Sequence, residues 1–257
     1  MQNPVTAPAI AIRDAYLAHN DVVLFDNLNL SFASGKVTCL LGPSGVGKTT
    51  LLRIVAGLIS ADNQQEIFRG DISCSNNVSL SEQISYMAQT DLLLPWLSAL
   101  DNALLGAKLR GSVSDAIITQ AKNLFAQMSL TAAEKKFPHQ LSGGMRQRVA
   151  LIRTLLENKP IILMDEPFSA LDAITRFQLQ TLTAELLKDR TVVLVTHDPL
   201  EALRLGHDIY ILSGQPAKIE LAANLTSATP RNLNDPEITD YQATLFHLLT
   251  TAKELSQ

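Results

Sequence analysis

Residues 42–50 read GPSGVGKTT. They follow a continuous apolar run, VTCLL, and lead into TTLLRIVAGL, which is apolar at helical spacing and closes on Gly57. A glycine-rich turn between a buried strand and a helix start is suited to holding phosphate: glycines let backbone N–H groups turn inward, and the helix adds the positive end of its dipole. The candidate cradle is Gly42, Pro43, Ser44, Gly45, Val46, Gly47, Lys48, Thr49 and Thr50. Lys48 brings a point charge for the β- and γ-phosphates, and Thr49 a hydroxyl for Mg²⁺. The spacing G-x-x-x-x-G-K-[ST] is specific in this strand–loop–helix setting.

The sequence on either side of this loop predicts an α/β protein. AIAIRDAYLA (9–18) and VVLFDNLNLSF (22–32) alternate as antiparallel strands do, and ASGK (33–36) is a turn. ISADNQQEIFRGD (59–71) reads as loop and turn, followed by a short strand ending in ISYMAQ (84–89). From about Asp91 to Leu151 leucine and alanine dominate, and VSDAIITQAKNLFAQMSL (113–130) has helical period. PIILMDEP (160–167) and TVVLVTHD (191–198) return as buried parallel strands around a helix, DAITRFQLQTLTAELLKD. The tail after IYILSG (209–214) holds one more helix, Asp235 to Leu255. The expected organisation is one domain, 1–257. Residues 1–90 and 152–257 form a nucleotide-binding α/β core with a mostly parallel sheet and an N-terminal antiparallel β portion. Residues 91–151 form an inserted α-helical subdomain.

Composition narrows the partners. The 257 residues are 46% apolar and 18% charged, with a formal net charge of −4. An acidic balance argues against a general nucleic-acid surface. Cys39 and Cys74 have no metal-type spacing and read as small buried thiols of a reduced protein. The opening MQNPVTAPAI lacks a basic segment followed by an apolar one, so no signal peptide is expected. The apolar runs are strand-length, too short to cross a bilayer. Membrane association is therefore expected through a partner.

Further motifs carry chemistry. IILMDEP ends a buried strand in two carboxylates: Asp165 suits the Mg²⁺ water shell, and Glu166 suits orienting or deprotonating an attacking water. His197 terminates another apolar strand, on the edge where ligands collect in open α/β sheets. Gln89 stands at a sheet-to-helix transition. LSGGMRQR (141–148) opens the helical run MRQRVALIRTLLEN, with Ser142, Gly143 and Gly144 making a second phosphate-binding helix start far from the first.

The order of these pieces resembles the ATP-binding-cassette ATPases over essentially the whole chain: phosphate loop, Gln89, LSGGMRQR, IILMDEP, SALD (169–172) and His197. LSGGMRQR is that family's signature. The resemblance implies that ATP and Mg²⁺ are bound, with Thr49, Gln89 and Asp165 at the metal, Glu166 the catalytic base and His197 a switch histidine. Ser142, Gly143 and Gly144 are implied γ-phosphate contacts with Gln147 nearby, and Asp172 ties together the two sites of a head-to-tail dimer. The adenine place falls to His19, with Tyr16 three residues earlier.

The pattern Q-x-x-x-L-L-P-W-x-x-x-x-D-N (89–102) is similar to importer ATPases of the nitrate, sulfonate and taurine group, which also serves thiamine-precursor pyrimidines. What this implies is the ATPase subunit of a bacterial importer, peripheral on the cytoplasmic face of the cell membrane. A permease would contact Leu92, Leu93, Leu94 and Trp96, and a periplasmic or lipid-anchored substrate-binding protein would act indirectly. No nucleic acid is expected. An exporter ATPase, and a soluble cassette protein outside transport, are the alternatives.

Overall fold

The computed structural model describes residues 7–20, 22–59 and 66–255. In chain order the first elements are β1 (Ile10–His19), β2 (Val22–Phe32), β3 (Val37–Leu41), α1 (Lys48–Val55), β4 (Glu66–Cys74), α2 (Leu80–Gln83) and β5 (Ile84–Met87). Then come α3 (Ala99–Ala103), α4 (Leu105–Leu109), α5 (Asp115–Gln127), α6 (Gly143–Leu156), β6 (Ile161–Asp165) and α7 (Ala173–Leu186). The chain closes with β7 (Thr191–Val195), α8 (Pro199–Leu205), β8 (Asp208–Ser213), β9 (Lys218–Asn224) and α9 (Pro236–Glu254). Two compact units result. One holds the chain up to Ile84, Pro160–Asp165 and everything from Leu187; the other holds Ser85–Lys159 and Glu166–Leu186.

In the first unit the strands run β6-β7-β3-β8-β9. β6, β7, β3 and β8 are parallel neighbours, and β9 adds antiparallel to β8. β6 and β7 are buried at every position, as expected of strands covered on both faces. Helix α1 packs on β6 and β7, α8 on β3, and α9 on β8. The same unit carries the antiparallel sheet β2-β1-β4.

The α/β expectation is borne out, with two strands that the sequence reading lacked. Residues 66–71, expected as loop and turn, belong to β4 and pair with β1. Gly70 sits there at φ +122°, where a Cβ would meet the Ala15 backbone at 2.7 Å. The register of β1 against β4 shifts between Arg13 and Tyr16, where Asp14 and Ala15 of β1 face the single Gly70, so FRGD runs through a strand opposite a bulge in β1 rather than making a turn. β9 was hidden for a similar reason: KIELAAN is a half-exposed edge strand with weak alternation.

The tail is locked by one buried cation. Arg231 is 1% exposed. It donates to the carbonyls of Leu203, Gly206 and Ser227, to Ser227 Oγ and to the Glu237 carboxylate. Glu237 also accepts from Thr226 and Ser227, and these hydrogen bonds, led by the Ser227 hydroxyl, hold its pKa down to about 2. Cys39 and Cys74 are both buried and free, and burial pushes the Cys39 thiol up.

The second unit is built on α6, with α3 and α5 packed against it. Helices α3, α5 and α6 are capped by serine: Ser98, Ser114 and Ser142 each accept from a backbone N–H of the first turn. Ser85 of β5 donates to Thr154 of α6.

Candidate functional site

In the first unit the parallel register places Leu40, Val195 and Asp165 in one row, so β3, β7 and β6 end at one level. Beyond β3 lies Gly42, beyond β7 lies His197, and Asp165 is the last residue of β6. Such an edge, at the carboxyl ends of the strands, is where open α/β sheets take ligands.

The loop 42–47 turns back sharply because of what lies behind it. Gly42 has φ +148°, and a Cβ there would stand 2.5 Å from the carbonyl oxygen of Leu212. Lys48, 8% exposed, folds over the loop and donates from Nζ to the carbonyls of Gly42 and Pro43, each at 2.7 Å. Its ammonium therefore stands within the ring of loop backbone. Ser44, Gly45 and Thr49 are exposed, while Val46 and Gly47 are buried beneath them. The loop also borders a cavity of about 210 Å³ lined by Leu24, Ser44, Gly45, Val46, Gly214, Gln215 and Ala217. The sequence reading missed the 214–217 turn; nothing in SGQPA except its turn composition marks it.

Asp165 is 1% exposed at the end of β6. His197 is exposed, but its backbone is pinned on both sides. Asp198 N–H donates to Thr196 Oγ1, and the Asp198 carboxylate caps α8 by accepting from Leu200 and Glu201. His19, at the end of β1, is half-buried with Nε2 3.1 Å from Asn20 Nδ2. Tyr16 is covered by the Arg69 guanidinium, 6.0 Å above its ring.

In the second unit Ser142 caps α6, its Oγ accepting from Met145 N–H, with Gly143 and Gly144 opening the first turn. Small residues here leave the first helical N–H groups open to a ligand. Gln89 is exposed just past β5. Asp172 is exposed and accepts from Thr175 N–H, which with the Thr175 hydroxyl holds its carboxyl below the usual range.

Glu166 has φ +49°, a left-handed conformation that costs a non-glycine residue about 1–3 kcal/mol. Its carbonyl accepts from Gln147 Nε2 at 2.9 Å, Ser169 Oγ at 3.0 Å and Ser169 N at 3.3 Å. Those bonds fix the strained turn and hence the direction of the carboxylate. Gln147, expected near the γ-phosphate contacts, turns its amide inward. It is 6% exposed, with Nε2 also on Ser169 Oγ and Oε1 accepting from Ala170 N–H. Its amide braces the loop that carries Glu166.

The profile of the ABC transporter family matches residues 25–169, from β2 through the Glu166 turn. The chain belongs to the ABC transporter family. As an ABC ATPase it is 47% identical to an uncharacterized ABC transporter ATP-binding protein of Haemophilus influenzae, over 79% of this chain and 81% of that one. It is 38% identical to the aliphatic sulfonates import ATP-binding protein SsuB 1 of Rhodococcus jostii, over 91% and 90% of the two chains. A similar match, 35% over 94% and 87%, joins it to SsuB 2 of Burkholderia cenocepacia. Among solved structures it is similar to the dimeric ATP-binding cassette MJ0796 in a post-hydrolysis state bound to ADP and Pi. The TM-score is 0.72 at 29% identity, over 85% of this chain and 100% of that one. The P-loop NTPase fold of the ABC ATPases is thus confirmed, and the enzyme class is ATP hydrolysis. Among the described residues no helix is long and apolar enough to cross a membrane. Nor does any group of three or more His, Cys, Asp or Glu side chains gather there as a metal site.

Proposed function

We propose that this ABC ATPase energises a bacterial importer of a small polar solute, working as a head-to-tail pair on the cytoplasmic face of the membrane beneath a permease. The observation that carries the pairing is the presence of two phosphate-binding helix starts, one in each unit: α1 behind the glycine loop and α6 behind Ser142. A γ-phosphate cradled by one chain's loop gains a second set of N–H donors from the other chain's α6. The relatives named as aliphatic sulfonate importers support the import direction and, within the sulfonate, nitrate, taurine and pyrimidine-precursor range that the sequence suggests, a sulfonate.

In this reading Gly42–Thr50 bind the phosphates and Lys48 neutralises charge as it develops. Asp165 and Thr49 supply oxygen ligands of the kind Mg²⁺ takes when it is held by one carboxylate, phosphates and water, and Gln89 joins them. Bound there, the ion would supply Lewis-acid stabilisation of the phosphate charge. Glu166 receives the proton of the attacking water and His197 contacts the γ-phosphate. Ser142, Gly143 and Gly144 complete the site from the partner chain, Asp172 links the two sites, and His19 meets the adenine. Gln147 acts by positioning Glu166. Leu92 (62% exposed), Pro95 and Trp96 (69% exposed) offer the permease an apolar anchor; Leu93 is buried, so its side chain supports that surface from below.

Size-exclusion chromatography with light scattering of Glu166→Gln tests this. ATP with Mg²⁺ should convert it to a stable dimer that releases no phosphate. A variant that stays monomeric with ATP bound, or that hydrolyses at the parent rate, would overturn the reading. Ligand screening of the companion binding protein identifies the solute.

A further inference from the structure

Helix α8 starts two residues after His197 and is seven residues long. Helices of that length are marginal in water, so its direction is set by what holds its two ends. The first end belongs to the sheet. Thr196 N–H donates to Leu40 O at 3.2 Å, Asp198 N–H donates to Thr196 Oγ1 at 3.1 Å, and the Asp198 carboxylate caps the first turn. The last end belongs to the tail. Arg231 Nη1 donates to Leu203 O at 2.9 Å and to Gly206 O at 2.6 Å, and Arg231 N–H donates to Arg204 O at 2.9 Å. Arg204 Nε returns a bond to Arg231 O at 3.3 Å. One residue thus takes three of the carbonyls around the helix end, where partners are lacking, and brings its charge to the negative end of the dipole.

Arg231 is itself fixed from the tail. Nη2 donates to Ser227 O at 2.9 Å, and Nε donates to Ser227 Oγ at 2.7 Å and to Glu237 at 3.1 Å. Glu237 opens α9, which packs on α8 and β8. A surface lysine would give the dipole the same charge with less desolvation. A guanidinium with a 0% exposed side chain, spread over helix-end carbonyls and Ser227, specifies a position as well. Towards the sheet the helix end has no slack: a Cβ on Gly206 would stand 2.8 Å from Cys39 Sγ, in the strand that leads into the phosphate loop.

We propose that Arg231 is a positioning residue for hydrolysis, fixing the end of α8 and through it the place of His197, so that the tail sets the rate of the chemical step without touching nucleotide. This rests on the reading above that His197 contacts the γ-phosphate. Seven residues of helix span about 10 Å, so Arg231 acts through α8. His197 lies between Thr196, tied to β3, and Asp198, tied to α8, and any tilt of α8 is taken up there. The phosphate loop has its own anchors on β3 and Lys48, so ATP affinity does not follow the tilt.

Single-turnover phosphate release, with the full-length chain in excess over ATP, tests this in four forms: parent, Arg231→Lys, His197→Ala and the two changes combined. The temperature is one at which thermal melts show all four folded. Arg231→Lys should slow release about tenfold while ATP affinity in equilibrium dialysis stays within about twofold. In the His197→Ala background the same change should slow release by less than about twofold, because the group it positions is gone. Equal slowing in both backgrounds overturns the proposal, since a general loss of structure acts without regard to His197. A parent rate in Arg231→Lys overturns it too. If His197→Ala itself releases phosphate at the parent rate, the reading of His197 fails, and the proposal with it. Should Arg231→Lys not fold, Glu237→Gln loosens the guanidinium from the tail side, and a two- to threefold slowing (roughly), absent in the His197→Ala background, is then the expected result.

Discussion

Replacing Gln147 with leucine separates two roles that a residue in the signature stretch can have. Leucine has nearly the same volume and removes the amide. Three hydrogen bonds go with it: to Glu166 O at 2.9 Å, to Ser169 Oγ at 3.2 Å, and from Ala170 N–H at 2.9 Å. Ala170 is exposed and its N–H turns to water at little cost. The other two bonds contribute about 1 kcal/mol each, so roughly 2 kcal/mol of support leaves the Glu166 turn. The left-handed Glu166 backbone costs about 1–3 kcal/mol to hold, a similar amount. Ser169 remains as a second donor, so the turn is weakened rather than lost. A population shift of about 1.4–2.7 kcal/mol away from the productive turn lowers kcat by about 10- to 100-fold. The ATP KM should stay within about twofold, because both amide N–H donors are spent on protein and none is left for a phosphate oxygen. Steady-state phosphate release, with a thermal melt to confirm folding, reads both quantities. A large rise in KM at unchanged kcat would refute the reasoning and return Gln147 to the nucleotide contacts.

Three further outcomes follow from single features. Lys48→Met removes the cation from the loop and should weaken ATP binding by at least about tenfold in equilibrium dialysis, with the fold retained by circular dichroism. Gly42→Ala places a Cβ 2.5 Å from Leu212 O at φ +148°, so thermal unfolding should show a loss of several kcal/mol, roughly 3 or more, or no folded protein at all. Glu237→Gln should lower stability at neutral pH by about 1–3 kcal/mol. Because the folded carboxyl titrates near 2, below its unfolded value, the parent's advantage is full above the unfolded pKa. Denaturant titrations should show it shrinking as pH falls from about 4.5 toward 2.

Features that depend on neighbours along the chain are legible in the sequence alone. The phosphate loop, its flanking strand and helix, and the strands ending in Asp165 and before His197 each carry their pattern within a short local stretch. The same holds for the Ser142 and Asp235 caps, since a cap and the N–H it accepts are close neighbours in the chain. What stays hidden is long-range. Arg231 closes on carbonyls 25 and 28 residues away, and no local pattern marks an arginine for burial. Gln147 reads as part of a polar motif, yet its partners lie 19 to 23 residues on, which turns it inward. β4 escapes a local reading because a glycine between Arg69 and Asp71 imitates a turn; only the bulged β1 partner that it faces distinguishes the two. The left-handed Glu166 has no signature of its own, since DEP is compatible with several turns.

The central claim is that a complete site needs two chains, one giving the glycine loop and the other the α6 start. Mixing two inactive variants tests it most directly: Lys48→Met, lacking the cradle charge, and Ser142→Arg, with the α6 start blocked. Each alone should be nearly inactive. In an equal mixture about half of the pairs are mixed, and each such pair holds one intact site, so phosphate release should return to about a quarter of the unmodified rate. A mixture that stays as inactive as its components, with both variants folded and pairing, would contradict the account and place the whole site within one chain.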